Sequence, residues 1–408
     1  MSEKLEIEKK GSPLLWGGLL SLWLTAIYVG IFYARDMQRI VEGSIGREAF
    51  TYFVLATLAA MTIKVFLYLK NKASDLTASL TKLDYLVFAS ITAILAIRTL
   101  QLGAKAPEEA MHLVQYGMVY FLTLKTLLCF SNNSLMLFLA LVLTSFFGAL
   151  DEVIQWLAPE RFFDWRDIAL NIFSGTMVFL LFCFPLRPKQ MKFAWDKKPL
   201  LSLALSSLAL TSLLTLCLVN TPKNLASLRN FAPAFFNMFP HVGEMTEYGY
   251  RFGAEGAGEF KSRLSQDQLK KYDLKEGAKF ATNLRSIRNQ DYSSKLARYN
   301  AREYPWRHEV IVRVNRLENA LGREDLLVVT KEKEILKEYF HSFFDNYFEQ
   351  TDPVNNTFVD ISNKDEDYMS EVSKHLITLF SRDDVRSFYG VFFLIFTVVT
   401  ILIFFKAG

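Results

Sequence analysis

Apolar residues in this chain fall into eight long runs rather than being spread evenly. A helix needs about 20 apolar residues to cross a hydrocarbon layer of roughly 30 Å, and each run is close to that length. The runs are Pro13–Tyr33, Phe50–Leu69, Leu83–Leu102, Met111–Phe130, Leu135–Leu157, Ile168–Leu186, Leu200–Val219 and Phe388–Phe405. The pattern therefore predicts an all-α integral membrane protein with about eight transmembrane helices.

The stretch between the seventh and eighth runs is different in character. Asn220–Arg386 holds 25 Lys and Arg with 26 Asp and Glu, and it is long enough to fold as a domain of its own. Helical spacing of apolar residues is clear over Leu326–Tyr347 and weaker over Glu366–Leu379, whereas His308–Val314 alternates like a short strand. We expect a mainly helical soluble domain inserted between the last two transmembrane helices.

Two further segments of this domain have features that predict their environment. The charges of Lys331–Glu338 alternate in sign at helical spacing, which is typical of a solvated helix face. Phe231–Phe260 is rich in aromatic residues and glycine, which favours either a segment lying on the membrane surface or a plain loop. The whole chain then divides into transmembrane helices 1 and 2 (1–82), a transmembrane core (83–190), helix 7 (191–221), the soluble domain (222–386) and the last helix (387–408).

Composition supports this mosaic of apolar helices and a polar domain. The 408 residues are 51% hydrophobic and 22% charged, which argues against a disordered chain. Cys129, Cys183 and Cys217 all lie in apolar runs, so they predict neither a disulfide framework nor a zinc site. His241 and Glu247 lack the two-histidine spacing of a zinc helix. A net charge of +4 is too small to indicate nucleic acid, and we expect no metal or other cofactor.

The distribution of Lys and Arg in short loops predicts the orientation. With a cytoplasmic N-terminus, twelve basic residues fall in inside loops and six in outside loops. Both termini would then be cytoplasmic, and the soluble domain would be extracytoplasmic. The unusual polar residues of the third to sixth runs would all lie at the outer side, where ionisable groups are costly and therefore functional candidates. These are Arg98, His112, Tyr116, Asp151, Glu152, Gln155, Arg161, Asp164, Asp167 and Asn171.

Helical spacing brings several of these side chains onto common faces. Asp167, Asn171 and Gly175 are four residues apart, and Gly175 has the structural role of letting a neighbouring helix approach closely. We expect Glu152, Asp167 and His112 to be the catalytic candidates, because carboxylates and an imidazole carry out acid–base chemistry. The expected substrate-binding residues are Arg161, which suits an anionic group, with Gln155, Asn171, Tyr116, Arg98 and Asp164. The alternative is a structural clamp between helices, with Arg98 extending its side chain towards the membrane surface.

The same residues resemble a known family. Glu152–Val–Ile–Gln155, then Arg161, then Asp167–Ile–Ala–Leu–Asn171–Ile–Phe–Ser–Gly175, preceded by His112–Leu–Val–Gln–Tyr116, is similar to the pattern of VanZ-like bacterial membrane proteins. The resemblance covers roughly Arg98 to Leu186. It implies a multi-pass protein of the bacterial inner (cytoplasmic) membrane, a role in the cell envelope and a link to glycopeptide antibiotic resistance. It brings no established reaction, so whether the chain is an enzyme stays open.

Two functional hypotheses follow from these residues. In the first, the chain binds or modifies a membrane lipid or a lipid-linked or amphiphilic envelope precursor at the outer leaflet. In the second, it is a non-enzymatic scaffold whose domain 222–386 recruits an envelope protein. A transporter is less favoured, because transporters usually place polar groups near the membrane midplane and show paired repeats.

Overall fold

The computed structural model describes residues 12–74, 80–159, 161–188, 191–192, 194–349, 353–356 and 368–405. These residues form sixteen α helices, one 3-10 turn and four short strands. They belong to two compact units. The first comprises Met1–Cys217, Phe239–Val242 and Phe388–Gly408, and the second comprises Leu218–Met238 and Gly243–Ser387.

Eight helices of the first unit lie where the apolar runs predict them. They are α1 (Pro13–Ile45), α2 (Ala49–Ser74), α3 (Lys82–Lys105), α4 (Met111–Leu128), α5 (Leu135–Leu157), α6 (Trp165–Cys183), α7 (Lys197–Val219) and α16 (Arg382–Phe405). Among the described residues, seven of these helices are long and apolar enough to cross a membrane, α4 being the exception. The chain is therefore an all-α membrane protein in its first unit.

Helix α4 is the central helix of this unit. It packs against α1, α2, α5 and α6, and half of its residues are buried, among them Tyr116 and Tyr120. Because its neighbours surround it, its surface can carry polar groups such as His112 and Gln115 that would be costly against lipid. Such polar groups explain why α4, unlike the other seven helices, is not among those apolar enough to span a membrane by composition.

Close contacts between α5 and α6 depend on two glycines. A Cβ atom added to Gly148 would lie 2.7 Å from Asn171 Cβ, and one added to Gly175 would lie 3.0 Å from Thr144 Cγ2. Small residues allow membrane helices to approach in this way, where van der Waals packing drives association. The two contacts fix the spacing of α5 and α6 on the side where the polar residues lie.

The second unit is mainly helical, with two small sheets. Its elements are α8 (Pro222–Phe231), α9 (Pro233–Met238), β1 (Glu247–Tyr248), β2 (Tyr250–Ala254), β3 (Gly258–Ser262), α10 (Gln266–Ser286), α11 (Tyr292–Arg298), α12 (Pro305–Gly322), α13 (Leu326–Tyr339), α14 (His341–Tyr347), α15 (Pro353–Asn356) and β4 (Leu376–Ile377). Strands β2 and β3 form an antiparallel hairpin, and β1 pairs with β4 in parallel. Helices α10, α12, α13 and α14 enclose a core that includes Phe280, Trp306 and Phe343.

The prediction of a strand at His308–Val314 is wrong, because these residues lie in α12. Their alternation arises from a buried ion pair rather than from a strand. Glu309 and Arg313 are one helical turn apart, fully buried and joined at 2.8 Å. The apolar residues between them are buried as well, so α12 is enclosed on several sides and lacks the simple periodicity of a surface helix.

The prediction of a solvated helix face at Lys331–Glu338 is also wrong for the first three residues of that segment. Lys331, Glu332 and Lys333 are all buried. Glu332 Oε1 lies 2.8 Å from Arg316 Nη1, and it also accepts hydrogen bonds from Ser370 at 2.6 Å and from Tyr368. Buried charges are stable when they are paired in this way, and single-sequence spacing does not distinguish such pairing from solvation.

Two other segments differ from expectation. Leu326–Tyr347 is helical as predicted, although it breaks at Phe340 into α13 and α14. The weakly helical segment Glu366–Leu379 contains β4 instead, and Ser370 forms a bridge to Phe260; its first two residues lie outside the described part. Phe231–Phe260 is not a plain loop, since it contains α9 and the first strands.

Candidate functional site

The ends of three helices form a polar cluster in the first unit. A 3-10 turn, Pro107–Ala110, precedes α4, and Asp164 caps the start of α6 by accepting a hydrogen bond from the Arg166 backbone N–H at 2.9 Å. The last two turns of α5 carry Asp151, Glu152 and Gln155, all buried. The polar residues thus lie at the amino ends of α4 and α6 and at the carboxyl end of α5.

Glu152 is the centre of a hydrogen-bonded chain. Gln155 Nε2 donates to Glu152 Oε1 at 2.6 Å, and the backbone N–H of Asp164 donates to Glu152 Oε2 at 3.0 Å. Arg161 in turn donates to the Gln155 side-chain oxygen. Both carboxylate oxygens of Glu152 therefore have partners, and the chain of bonds joins the end of α5 to the start of α6.

Asp164 has a structural role beside its expected binding role. Its carboxylate accepts from the Arg166 guanidinium, with Nη2 to Oδ2 at 2.6 Å and Nε to Oδ1 at 3.1 Å. The carboxylate is buried, whereas the Arg166 side chain is largely exposed. This pair orients the first turn of α6 and with it Asp167.

His112 and Asn171 connect α4 to α6. Their contact, His112 Nδ1 to Asn171 Oδ1, is 2.8 Å, and Asn171 Nδ2 donates to the Gly148 carbonyl oxygen at 3.2 Å. The His112 ring is stacked on Tyr116, with ring centroids 6.2 Å apart. Asn171 is thus bonded to both neighbouring helices, and it fixes the imidazole at the side of the cluster.

Tyr116 and Asp151 are neighbours in the buried part of the cluster. The Tyr116 side chain is 0% exposed and Asp151 is 2% exposed. Neither the Tyr116 hydroxyl nor Asp151 Oδ1 makes a hydrogen bond of standard geometry within the described residues. The two side chains are nevertheless close enough for the Tyr116 hydroxyl to donate a weak hydrogen bond to the Asp151 carboxylate. Tyr28 of α1 is next to both, and its hydroxyl donates to the Phe147 carbonyl oxygen at 3.1 Å.

Glu109 and Asp167 lie on the more exposed side of the cluster. Both are partly buried. Burial raises the pKa of the Glu109 carboxyl, and the negative charges of Asp167 and Asp164 raise it further. Burial is thus the main cause of the shift, and the carboxylates near the 3-10 turn add to it. Glu109 was not among the residues predicted for the site.

Not every predicted residue joins the cluster. Arg98 is exposed on α3, and its Nη1 donates to Gln101 Oε1 at 3.4 Å on the same helix. The structure does not bring it to the residues above. Gly175 lies two turns further along α6 than Asp167, against Thr144 of α5, so it is part of the helix contact rather than of the polar cluster.

A loop from beyond α7 also reaches this end of the first unit. His241, in the segment Phe239–Val242, has its Nε2 3.0 Å from the carbonyl oxygen of Leu157, the last residue of α5. Glu247 belongs to the second unit and pairs with Arg263 at 3.1 Å. The two residues that resembled a metal motif therefore have separate partners.

Chemically, the cluster contains both satisfied and unsatisfied groups. Glu152, Gln155 and Asp164 form internal bonds that brace the helices. Asp151 Oδ1 and the Tyr116 hydroxyl are buried beside each other and make no hydrogen bond of standard geometry in the described part of the chain. Buried polar atoms of this kind are rare and call for a bound molecule, water or ion. Asp151 directly precedes Glu152, so its location was visible in the sequence. Its different environment was not, because adjacent residues of a helix face different directions.

Comparison with known proteins gives no match: no family model, no curated protein and no solved structure is similar to this chain.

Proposed function

We propose that the chain is a VanZ-like cell-envelope protein of the bacterial cytoplasmic membrane. It crosses the membrane eight times, with both termini inside and the second unit outside. The eighth crossing is α4, whose polar residues are sheltered by α1, α5 and α6. The excess of Lys and Arg in the inside loops supports this orientation, and the motif from His112 to Gly175 supports the family.

In this proposal, the polar cluster binds or modifies the head group of a lipid-linked or amphiphilic envelope molecule at the outer leaflet. The observation that carries it is the pair of buried polar atoms, Tyr116 Oη and Asp151 Oδ1, which lie close to each other but make no hydrogen bond of standard geometry among the described residues. A head group entering from the outer leaflet would keep its acyl or prenyl chain in the bilayer. Its polar atoms would then provide the missing partners.

The residues around this pair have separate roles. His112 is held through Nδ1 by Asn171, so its Nε2 is the nitrogen that exchanges a proton with the head group. Asp167, on the exposed side of the cluster, is the acid–base partner of His112. Glu152 orients Gln155 through a hydrogen bond, and Gln155 in turn orients Arg161.

The test is glycopeptide susceptibility of bacteria that express the full chain. Asp151→Asn, Glu152→Gln, Arg161→Met and Asp167→Asn are compared with Asp36→Asn, whose carboxylate is 68% exposed on α1. Membrane levels of every variant are measured by quantitative immunoblot. We expect the site variants to lose the phenotype at normal protein levels and the control to keep it. If all four site variants retain the phenotype, the proposed site is wrong.

A second candidate function is a membrane scaffold, favoured by one observation. The hydrogen bonds of Glu152, Gln155 and Asp164 are internal, as in a brace. The second unit would then recruit an envelope protein. Cross-linking of the full chain in intact cells separates the two functions. A partner whose cross-linked yield is the same in the wild type and in Asp151→Asn, together with an unchanged phenotype in that variant, favours the scaffold.

A further inference from the structure

Helices α8 and α9 expose an apolar surface that the described residues leave uncovered. Neither helix contains a buried residue, although half of their sixteen residues are Ala, Leu, Phe or Met. Phe231 is 88% exposed and Met238 is 72% exposed. Large apolar side chains that are exposed side by side mark a surface that contacts a membrane or another protein.

The apolar residues of α8 lie on one face of the helix. Leu225, Leu228 and Phe231 follow each other at intervals of three, and Lys223 and Asn230 lie on the opposite side. Four phenylalanines fall within residues 231–239. An apolar face of Leu and Phe opposite a polar face with a basic residue is the pattern of a helix that lies in a membrane interface.

The charge of this segment favours lipid phosphates. Residues 220–243 include no acid, and their two charged side chains, Lys223 and Arg229, are both exposed. The Arg229 guanidinium lies over the Phe236 ring, 5.7 Å from its centroid, so the charge of α8 is next to an aromatic ring of α9. Basic side chains beside apolar ones are suited to the boundary between head groups and acyl chains.

The end of α7 fixes the level at which α8 begins. Helix α7 is long and apolar enough to cross a membrane, and only Asn220 and Thr221 separate Val219 from α8. Such a link spans at most about 11 Å when extended. Here it is folded, because the Thr221 N–H and Asn224 Nδ2 both donate to the Val219 carbonyl oxygen, at 2.8 and 2.9 Å. Helix α8 therefore begins at the level of the head groups, which form a layer about 5–8 Å thick.

The other end of the segment also leads to the end of a membrane helix. Beyond α9 the chain continues into Phe239–Val242, which belongs to the first unit. There His241 Nε2 lies 3.0 Å from the carbonyl oxygen of Leu157, the last residue of α5. Helices α5, α6 and α7 are each long and apolar enough to cross a membrane, and three successive crossings place the carboxyl ends of α5 and α7 at the same surface. The segment thus begins and ends at one membrane surface.

We propose that α8 and α9 form an interfacial anchor that lies in the plane of the leaflet at which α7 ends. Phe231 and Met238 are inserted among the acyl chains, and Lys223 and Arg229 contact the lipid phosphates. The leaflet provides the apolar cover that these side chains lack within the described structure. This anchor is independent of the chemistry of the polar cluster and of the side on which the termini lie.

The experiment uses the full chain in the membranes of cells that express it. The photoreactive residue p-benzoylphenylalanine replaces Phe231, Met238 or Leu274, one at a time. Leu274 is the matched control, since it is an apolar side chain of the same unit that is 83% exposed on α10, a helix rich in charged residues. After irradiation, the adducts of the purified chain are identified by mass spectrometry. The elution profile of each variant in detergent shows whether it is folded.

We expect phospholipid adducts at Phe231 and Met238 in several-fold higher yield than at Leu274, where the yield should be close to background. A second substitution tests the apolar face. Leu228→Glu should remove most of the phospholipid adduct at Phe231, because it places a charge among the acyl chains. Ser227→Glu, on the polar side of the same helix, should leave most of that adduct in place.

Several results would overturn the anchor. Adducts of Phe231 and Met238 with a second copy of this chain, or with another protein, in place of lipid would make this face a protein interface. Phospholipid yields at Leu274 equal to those at Phe231 and Met238 would show that the reaction does not depend on this face. Folded variants that yield no phospholipid adduct at either position would also contradict the proposal, and Met238 provides the test if the Phe231 variant does not fold.

Discussion

At the scale of single residues, neighbours in sequence have opposite environments. Asp151 and Glu152 are adjacent acids at the end of one helix, yet both oxygens of Glu152 are hydrogen-bonded and one oxygen of Asp151 is not. The sequence predicts that acids meet at this depth, because the spans and their orientation follow from composition. It cannot predict which acid is satisfied, since that depends on the backbone of Asp164 twelve residues later.

A buried charge in the second unit allows a direct test of how much one ion pair contributes to the stability of that unit. Arg313 lies 2.8 Å from Glu309 and 3.6 Å from Glu332, and all three side chains are 0% exposed. Removing one member leaves a buried charge unpaired, so Arg313→Met should destabilise this unit by about 3–5 kcal/mol. Urea titration of the full chain, followed by protease resistance of the second unit, measures the loss.

The control for this variant is an exposed arginine of the same unit. Arg288 is 56% exposed and lies 3.2 Å from Glu318, and surface pairs contribute about 0–1 kcal/mol. Arg288→Met should therefore unfold close to the wild type. Equal effects of the two substitutions would contradict a structural role for the buried network.

The ion pair of Glu247 should make the stability of the second unit depend on pH. Burial alone would raise the pKa of its carboxyl, but the Arg263 guanidinium outweighs this and holds the pKa below its ordinary value of 4.5. A lowered pKa in the folded state means that the carboxylate contributes stability above pH 4.5 that is lost as pH falls through the lowered value. In urea titrations, the gap between wild type and Glu247→Gln should be wide at pH 7 and shrink below pH 4.5. A gap that stays constant with pH would contradict this assignment.

At the scale of elements, each predicted apolar helix is present in the structure and the predicted strand is not. Long apolar runs fix a helix because the bilayer demands internally satisfied backbone groups, and Leu135–Leu157 matches α5 residue for residue. The prediction of a strand at His308–Val314 was wrong. Several faces of α12 are buried and Glu309 pairs with Arg313 inside the fold, so polar and apolar residues alternate there as they would in a strand. The contacts that bring α5 against α6 involve glycines, and their partners are not visible in one sequence.

Gly148 provides a test of this helix contact. A methyl group at this position would lie 2.7 Å from Asn171 Cβ, whereas one at Gly30 of α1 has no atom within 4 Å in the described structure. Overpacking of this kind costs about 1–3 kcal/mol, so Gly148→Ala should lower the thermal unfolding temperature in detergent and weaken the proposed site. Gly30→Ala should not, because alanine favours a helix. A stable Gly148→Ala variant would show that α5 and α6 can separate at no cost.

At the scale of the whole molecule, charge separates the chain into two kinds of structure. Asn220–Arg386 holds 51 of the 88 Lys, Arg, Asp and Glu residues, and the rest include those at the ends of α4, α5 and α6. The long apolar helices could be predicted from hydropathy alone. The core of the second unit could not, because its charged residues Glu309, Arg313 and Glu332 are buried.

The proposed orientation leads to a labelling prediction. Cysteines introduced singly at Pro159, after α5, and at Asp267, in α10, should both react with a membrane-impermeant maleimide in intact cells. Cys183 and Cys217 lie in apolar helices, Cys129 directly follows one, and all three are partly or fully buried. A cysteine in place of Asp196, before α7, should react only after the cells are opened. Reaction of Pro159→Cys or Asp267→Cys only in opened cells would reject the outward site.

The parallel pairing of β1 with β4 has a consequence for how this architecture is put together. Glu247 lies opposite Leu376, and paired strands are about 4.8 Å apart. Upstream of β1, the Asn220 carbonyl oxygen accepts from the Met245 and Thr246 backbones at 3.0 and 3.1 Å. The first and last strands of the second unit therefore hold each other, and the segment that follows α7 is bonded to the residues just before and at the start of the first strand. Loss of either strand would leave the backbone of the other without its partner.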